Sequence, residues 1–280
     1  MFSINPFAEL SASIPLSVMQ TYVVVMILLV VGGTLFDVIH KKSATYFFNN
    51  WKKAAGSGTR TVGGGEIVSL AVQTAVVEVA TSAEFCNPKR RIAHLLTMYG
   101  FVAYVAAIIM MVFCYPMAGS TAPAIVVQLW YLGAAMVCVG GYWFWFFIRV
   151  DVAAEGNSPL RFVQADIFIV SLMVSVTLAL IWAYLQATGN AWTNVALGAY
   201  LLTTTIFFGS VPWSKFSHMF FKPAAALQKR VANADGSRSN LPKPADRTNP
   251  AERDRHSMEL LKDAPQSMGL GIKREQPRHY

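Results

Sequence analysis

Apolar residues in this chain run in long uninterrupted stretches and not in alternation. Five stretches, Leu16–Ile39, His94–Pro116, Ala124–Ile148, Phe162–Leu185 and Trp192–Val211, each hold about 20 residues or more, the length a helix needs to cross a bilayer's hydrocarbon core. The pattern predicts an all-α integral membrane protein, a bundle of five transmembrane helices over residues 16–222 behind an N-terminal outer segment of residues 1–15. A sixth apolar stretch, Glu66–Phe85, carries Glu78 in its middle and Glu66 and Glu84 near its ends. A charge at mid-membrane costs about 2.5–3.5 kcal/mol on insertion scales. An amphipathic helix on the cytoplasmic face over about residues 66–85 is therefore expected, with a helix packed into the bundle as the alternative.

Lysine and arginine orient the bundle. Lys41, Lys42, Lys52, Lys53 and Arg60 follow the first stretch, and Lys89, Arg90 and Arg91 precede the second. Arg149 and Arg161 bracket the connection after the third, and Lys215 and Lys222 follow the fifth. The turns Met117–Pro123 and Gln186–Ala191 carry neither residue type. The positive-inside rule then predicts N-out and C-in, with Trp192 and Tyr115 in the outer aromatic belt and Trp51 and Trp213 in the inner one. From residue 223 the composition turns to Pro, Asn, Asp, Arg and Lys, so residues 223–280 read as an extended cytoplasmic tail, disordered alone and suited to docking a partner or to no task.

Composition agrees. Of 280 residues, 54% are hydrophobic and 14% charged, against about a quarter charged in a soluble domain. The net charge of +8 lies mostly in the connections and the tail, so it reads as topology, and no soluble domain presents it to nucleic acid. The opening MFSINPFAEL lacks the basic region of a cleavable signal peptide, and a retained first span is expected. Cys86, Cys114 and Cys138 form no CxxC and are read as small core residues. Gly63-Gly64-Gly65 is followed by Glu66, not by the lysine and serine of a phosphate loop, and there is no HExxH or nucleophile elbow. Few polar residues at mid-span and no internal repeat argue against a transporter.

The candidate chemistry is histidine. His256 and His279 lie in the tail, while His40, His94 and His218 all fall at the cytoplasmic ends of spans. Facing imidazoles from two helices can supply both axial ligands of a b-type haem, and helices of opposite direction can bring His94 and His218 to the same depth, with His40 in reserve. Arg90, Arg91 and Arg149 suit haem propionates or a quinone head group. The plainer reading makes each of these an interfacial or topology-anchoring residue, and Met98, Met110 and Met111 core packing.

Two motifs carry a family resemblance. RRIAHLLTMYGF (Arg90–Phe101) places a basic pair before a histidine and a Gly-Phe, and VPWSKFSHMFFKP (Val211–Pro223) ends the fifth span. Over roughly residues 16–223 the chain resembles the membrane cytochrome b subunits related to the nitrate reductase gamma subunit, a group that includes the membrane anchor associated with adenylylsulfate reductase. The resemblance implies the N-out five-helix fold, haem ligation by His94 and His218, and a bacterial cytoplasmic membrane. It also implies quinone as diffusible electron carrier and a soluble cytoplasmic redox partner, adenylylsulfate reductase, on the basic inner face and tail. Members with two haems need four histidines, and the outer pair is absent here. Either one haem b remains, or the ligands are vestigial and the protein is a haem-free anchor.

Overall fold

The computed structural model describes residues 4–83, 85, 87–117, 122–214, 216, 218–238, 249 and 251; Ser43, Val150, Asp151 and Ala165 are described for backbone only. Glu84, Cys86, Lys215, His256, His279, residues 118–121 and those from 239 on, apart from 249 and 251, lie outside the described residues. Helices α1 (Pro6–Leu10), α2 (Leu16–His40), α3 (Ser43–Ala55), α4 (Gly64–Thr74), α5 (Pro88–Ile109), α6 (Ala124–Trp143), α7 (Val150–Ala153), α8 (Ile167–Ala187), α9 (Thr193–Gly209) and α10 (His218–Ala234) follow in order. Among the described residues there is no strand.

Wide turns extend three helices: Ala75–Ala80 continues α4, Met110–Cys114 continues α5 and Phe144–Ile148 continues α6. In the last, the Arg149 amide donates to the Phe144 carbonyl five residues back at 2.9 Å. With these extensions, four helices are long and apolar enough to cross a membrane, Leu16–His40, Pro88–Cys114, Ala124–Ile148 and Ile167–Ala187, which marks a multi-pass membrane protein. Helix α9, at 17 residues, is shorter.

Two boundaries differ from the apolar runs. Helix α5 opens at Pro88, well before His94, because Asn87 Oδ1 accepts the amides of Lys89 (3.0 Å) and Arg90 (3.4 Å) and Pro88 needs no donor. His94 thus sits inside the second turn and not at the helix head. Helix α8 opens at Ile167, and Phe162 instead stacks on Trp145 with ring centres 5.5 Å apart.

The core lies between α5, α6, α8 and α9. Along α5–α6 the contact is backbone on backbone. A Cβ on Gly133 would stand 2.6 Å from the Gly100 carbonyl, and one on Gly140 2.7 Å from the Ala93 carbonyl. Small residues let membrane helices approach this closely where no water drives them together. Hydroxyl pairs tie the other helices: Tyr104 to Tyr200 at 3.0 Å and Ser175 to Thr204 at 2.7 Å.

One end of the bundle is closed by α1. Asn5, ahead of Pro6, caps this helix through Oδ1, and its Nδ2 donates to the Tyr115 carbonyl at 2.9 Å. Gln186 at the end of α8 donates to the Pro6 carbonyl at 2.8 Å. Phe7 is thereby held between Trp130 (centroids 5.9 Å) and Trp182 (5.3 Å), both fully buried. The N-terminal segment is thus part of the packed bundle.

The other end carries the basic residues and a layer built from α3, α4 and α10. The composition break at Pro223 does not end structure: α10 runs through Pro223 to Ala234. Its sequence beyond the proline, AAALQKRVANA, is made of helix formers and buries Val231 and Ala232. Arg230 reaches Glu78 at 3.0 Å, so the acidic residue that argued against a sixth crossing is paired across the layer. Gly236 ends α10 at φ +79°, and the Asp235 carbonyl accepts from the amides of Thr59 (2.8 Å) and Arg60 (3.2 Å). Arg60 also grips Glu66 through both guanidinium nitrogens, at 2.9 and 2.6 Å.

Candidate functional site

The helical phase of α5 sets where His94 points. Ala93 is 1% exposed because it faces Gly140, so the next residue turns away from α6. His94 is exposed, and its ring lies 4.9 Å from the ring of Phe85, tilted by 47°. Lys222 Nζ stands 5.6 Å from the same phenyl ring. His218 is the first residue of α10, exposed, and one turn before Lys222 on the same helix face. The structure therefore brings His94, Phe85 and Lys222 into one cluster, with His218 on the helix that delivers Lys222.

The arginines have separate tasks. The Arg90 guanidinium lies 5.9 Å above the Phe144 ring and is half-buried, tying the first turn of α5 to the end of α6. Arg91 Nε donates to the Thr81 carbonyl at 2.7 Å, which fixes the chain entering the Phe85 turn. Tyr99 does the same through a 2.7 Å bond to the Ala80 carbonyl. Arg149 is 5% exposed. It pairs with Asp166 at 2.9 Å, donates to the Arg161 carbonyl at 2.9 Å, and lies 3.9 Å over the Trp145 ring. A guanidinium so engaged is a brace between the end of α6 and the start of α8. His40 is stacked on Phe36, with centroids 5.4 Å apart and planes 7° apart, just before Lys41, which pairs with the buried Asp37.

The chemistry of the donor set suits a b-type haem: two imidazoles at one end of the bundle, with Lys222 and Arg90 as nearby cations for propionates. The Phe85 ring stands on one flank of His94, so a planar macrocycle between His94 and α10 needs that ring to swing aside. Among the described residues no group of three or more His, Cys, Asp or Glu side chains is gathered to hold a metal ion. The contact between Phe85 and Lys222 carries no sequence signal, because it depends on how α10 folds back. The Asn-Pro pairs at Asn5-Pro6 and Asn87-Pro88 do mark helix starts in the sequence.

A second feature lies in the bundle itself. A cavity of about 360 Å³ runs between α2 and the wall of α5, α8 and α9, with α1 over one end. Its lining is apolar apart from hydroxyls that are already engaged. Tyr22 OH bonds to the Leu201 carbonyl at 3.0 Å and Thr205 at 3.1 Å, and the other lining hydroxyls belong to the Tyr104–Tyr200 and Ser175–Thr204 pairs.

No family model, curated protein or solved structure matches this chain, so the sequence and the geometry described above carry the functional reading.

Proposed function

We propose that the chain is the membrane subunit of a cytoplasmic oxidoreductase complex, crossing a bacterial cytoplasmic membrane five times with its N-terminus outside. The observation that supports it most is the folded basic layer. Helices α3, α4 and α10 are fastened together by Arg230–Glu78 and by the Asp235 carbonyl; α3 carries Lys52 and Lys53 exposed, and α10 carries Lys222, near Phe85 and His94, and Lys229. A fixed cationic surface suits an acidic soluble partner and steers its approach. Adenylylsulfate reductase is the partner the family resemblance favours, with quinone as the carrier on the membrane side. For the fifth crossing, α9 supplies roughly 25 Å at 1.5 Å per residue, and the turn Val211–Trp213 continues it toward Trp213, 70% exposed as an interfacial anchor would be. On α4 and its wide turn, exposed Val68, Val72 and Val76 form an apolar stripe that suits a helix lying in the membrane surface.

His94 and His218 are the residues that would hold a single haem b, which when bound supplies one-electron transfer. Their own part would be to present imidazole nitrogens from α5 and from the start of α10, with Arg90 and Lys222 as the cations one turn away on the same helices. A haem-free anchor is the second reading, favoured by the Phe85 ring already packed on His94. A reduced-minus-oxidised visible spectrum of the purified protein, with haem extracted and quantified, separates the two. About one b-type haem per chain, lost in both His94→Ala and His218→Ala with membrane insertion intact, supports ligation. A colourless protein that still captures its partner supports the anchor, and haem retained in both variants removes the ligand assignment.

A further inference from the structure

We infer that the cleft between α2 and the α5–α8–α9 wall is a binding site for one hydrocarbon chain of a membrane phospholipid. Lining residues on α2 run from Val18 to Val31, a length of about 20 Å at 1.5 Å per residue. The site begins at the first turn of α2, under Leu10 and Ile14, and extends past the roughly 15 Å depth of one leaflet. It is a slot for a chain entering from the leaflet at the α1 end. Val18, Ile27 and Val31 line it and are themselves 54%, 45% and 50% exposed, so the slot opens sideways to the bilayer. At about 360 Å³ it falls in the range of real ligand sites, roughly 300–1,000 Å³. The hydroxyl protons of Tyr22 and Thr204 go to the Leu201 and Tyr200 carbonyls and Ser175 pairs with Thr204, so the largely apolar lining favours a chain over a quinone ring, whose carbonyls need hydrogen-bond donors. In a bilayer such a slot fills with the apolar chain most abundant around it. The bound chain then supplies packing to α2, which buries few of its own residues. The inference is independent of haem and of the soluble partner.

The test is lipid analysis of protein purified from its native membrane in mild detergent. Native mass spectrometry is paired with extraction that quantifies phospholipid and isoprenoid quinone separately. About one phospholipid per chain should survive detergent exchange. Val23→Trp, whose side chain lines the slot, should retain several-fold less, while Val25→Trp, on the exposed side of the same helix, should match the wild type. Should Val23→Trp not fold, Val105→Phe fills the slot from the opposite wall with the same expectation. The site is refuted if the wild type retains no phospholipid, if quinone is retained in its place, or if slot-filling and control variants retain equal amounts.

Discussion

Between α5 and α6 the two backbones touch, so that a single added Cβ at Gly100, Gly133 or Gly140 would fall within 3.0 Å of neighbouring backbone or side-chain atoms. Helix α2, equally long and apolar, meets the same bundle through a few side chains and an open slot. Met19 and Met26 are buried, Tyr22 and Gln20 make hydrogen bonds, and Gly33 comes close to Pro212. The layer at the basic end resembles α2 in this respect, being held by individual polar ties. Hydropathy alone ranks α2 above α5 and α6. In lipid, apolar character places a helix in the membrane but does not bind it to another helix; close approach and hydrogen bonds do that. The difference separates helices packed backbone on backbone from elements held by side-chain contacts.

The strongest way to break this comparison is to add bulk to both regions. Gly133→Leu drives a side chain into the Gly100 carbonyl and the Tyr104 amide, and should cost over about 3 kcal/mol or abolish folding. Gly32→Leu on α2 has nothing within 4 Å of its Cβ and should stay within about 0.5 kcal/mol of the wild type. Unfolding in detergent followed by tryptophan fluorescence reads both, and equal losses would erase the distinction. The next effect is smaller. Glu78→Ala removes a tie whose side chains are about a quarter exposed, and should cost about 1 kcal/mol or less after solvent screening. Its clearer signature is local: amide hydrogen exchange should rise in α10 and at Ala75–Ala80 while α5 and α6 stay protected. Deprotection spread evenly over the bundle would show that the layer and the scaffold are one cooperative unit.

How much of this was legible in the sequence divides along the same line. Four spans follow from uninterrupted apolar runs, and the common end of His94 and Lys222 follows from the positive residues that flank them. Their neighbours were not legible. Arg149 and Asp166 are 17 residues apart, and Arg230 and Glu78 are 152 apart, so each pairing exists only once helices fold back on one another. Residues 223–280 read as one polar tail because average composition conceals a short helix that buries only Val231 and Ala232 against the layer. The N-terminal segment hid its role for the opposite reason: one buried phenyl ring, Phe7, and one capping asparagine are enough to seat five residues on two tryptophans. His94 was legible as a residue type at a depth, but the Phe85 ring on its flank was not.

The smallest expected effect sharpens the comparison from the layer's side. Arg60 donates two hydrogen bonds to Glu66, and those bonds, with the charge beside them, hold the Glu66 carboxyl below its ordinary value. A depressed folded value means that the tie contributes fully above the unfolded carboxyl's titration, near about 4.3, and is lost as pH falls through the lower folded value. The pair is open to solvent, so global stability should hardly register it. A carboxyl-carbon chemical-shift titration of Glu66 should show the lowered midpoint, and Arg60→Ala should return it to the ordinary range. That substitution also removes the Arg60 Nε bond to the Ala234 carbonyl at 2.6 Å, so α10 should exchange faster at its end even at neutral pH. Acid alone should spare that bond, because a protonated Glu66 leaves the guanidinium charged and free to keep it. Acid and mutation that loosened the end of α10 to the same degree would mean that Glu66 positions Arg60, and that the layer's polar ties act together and not singly.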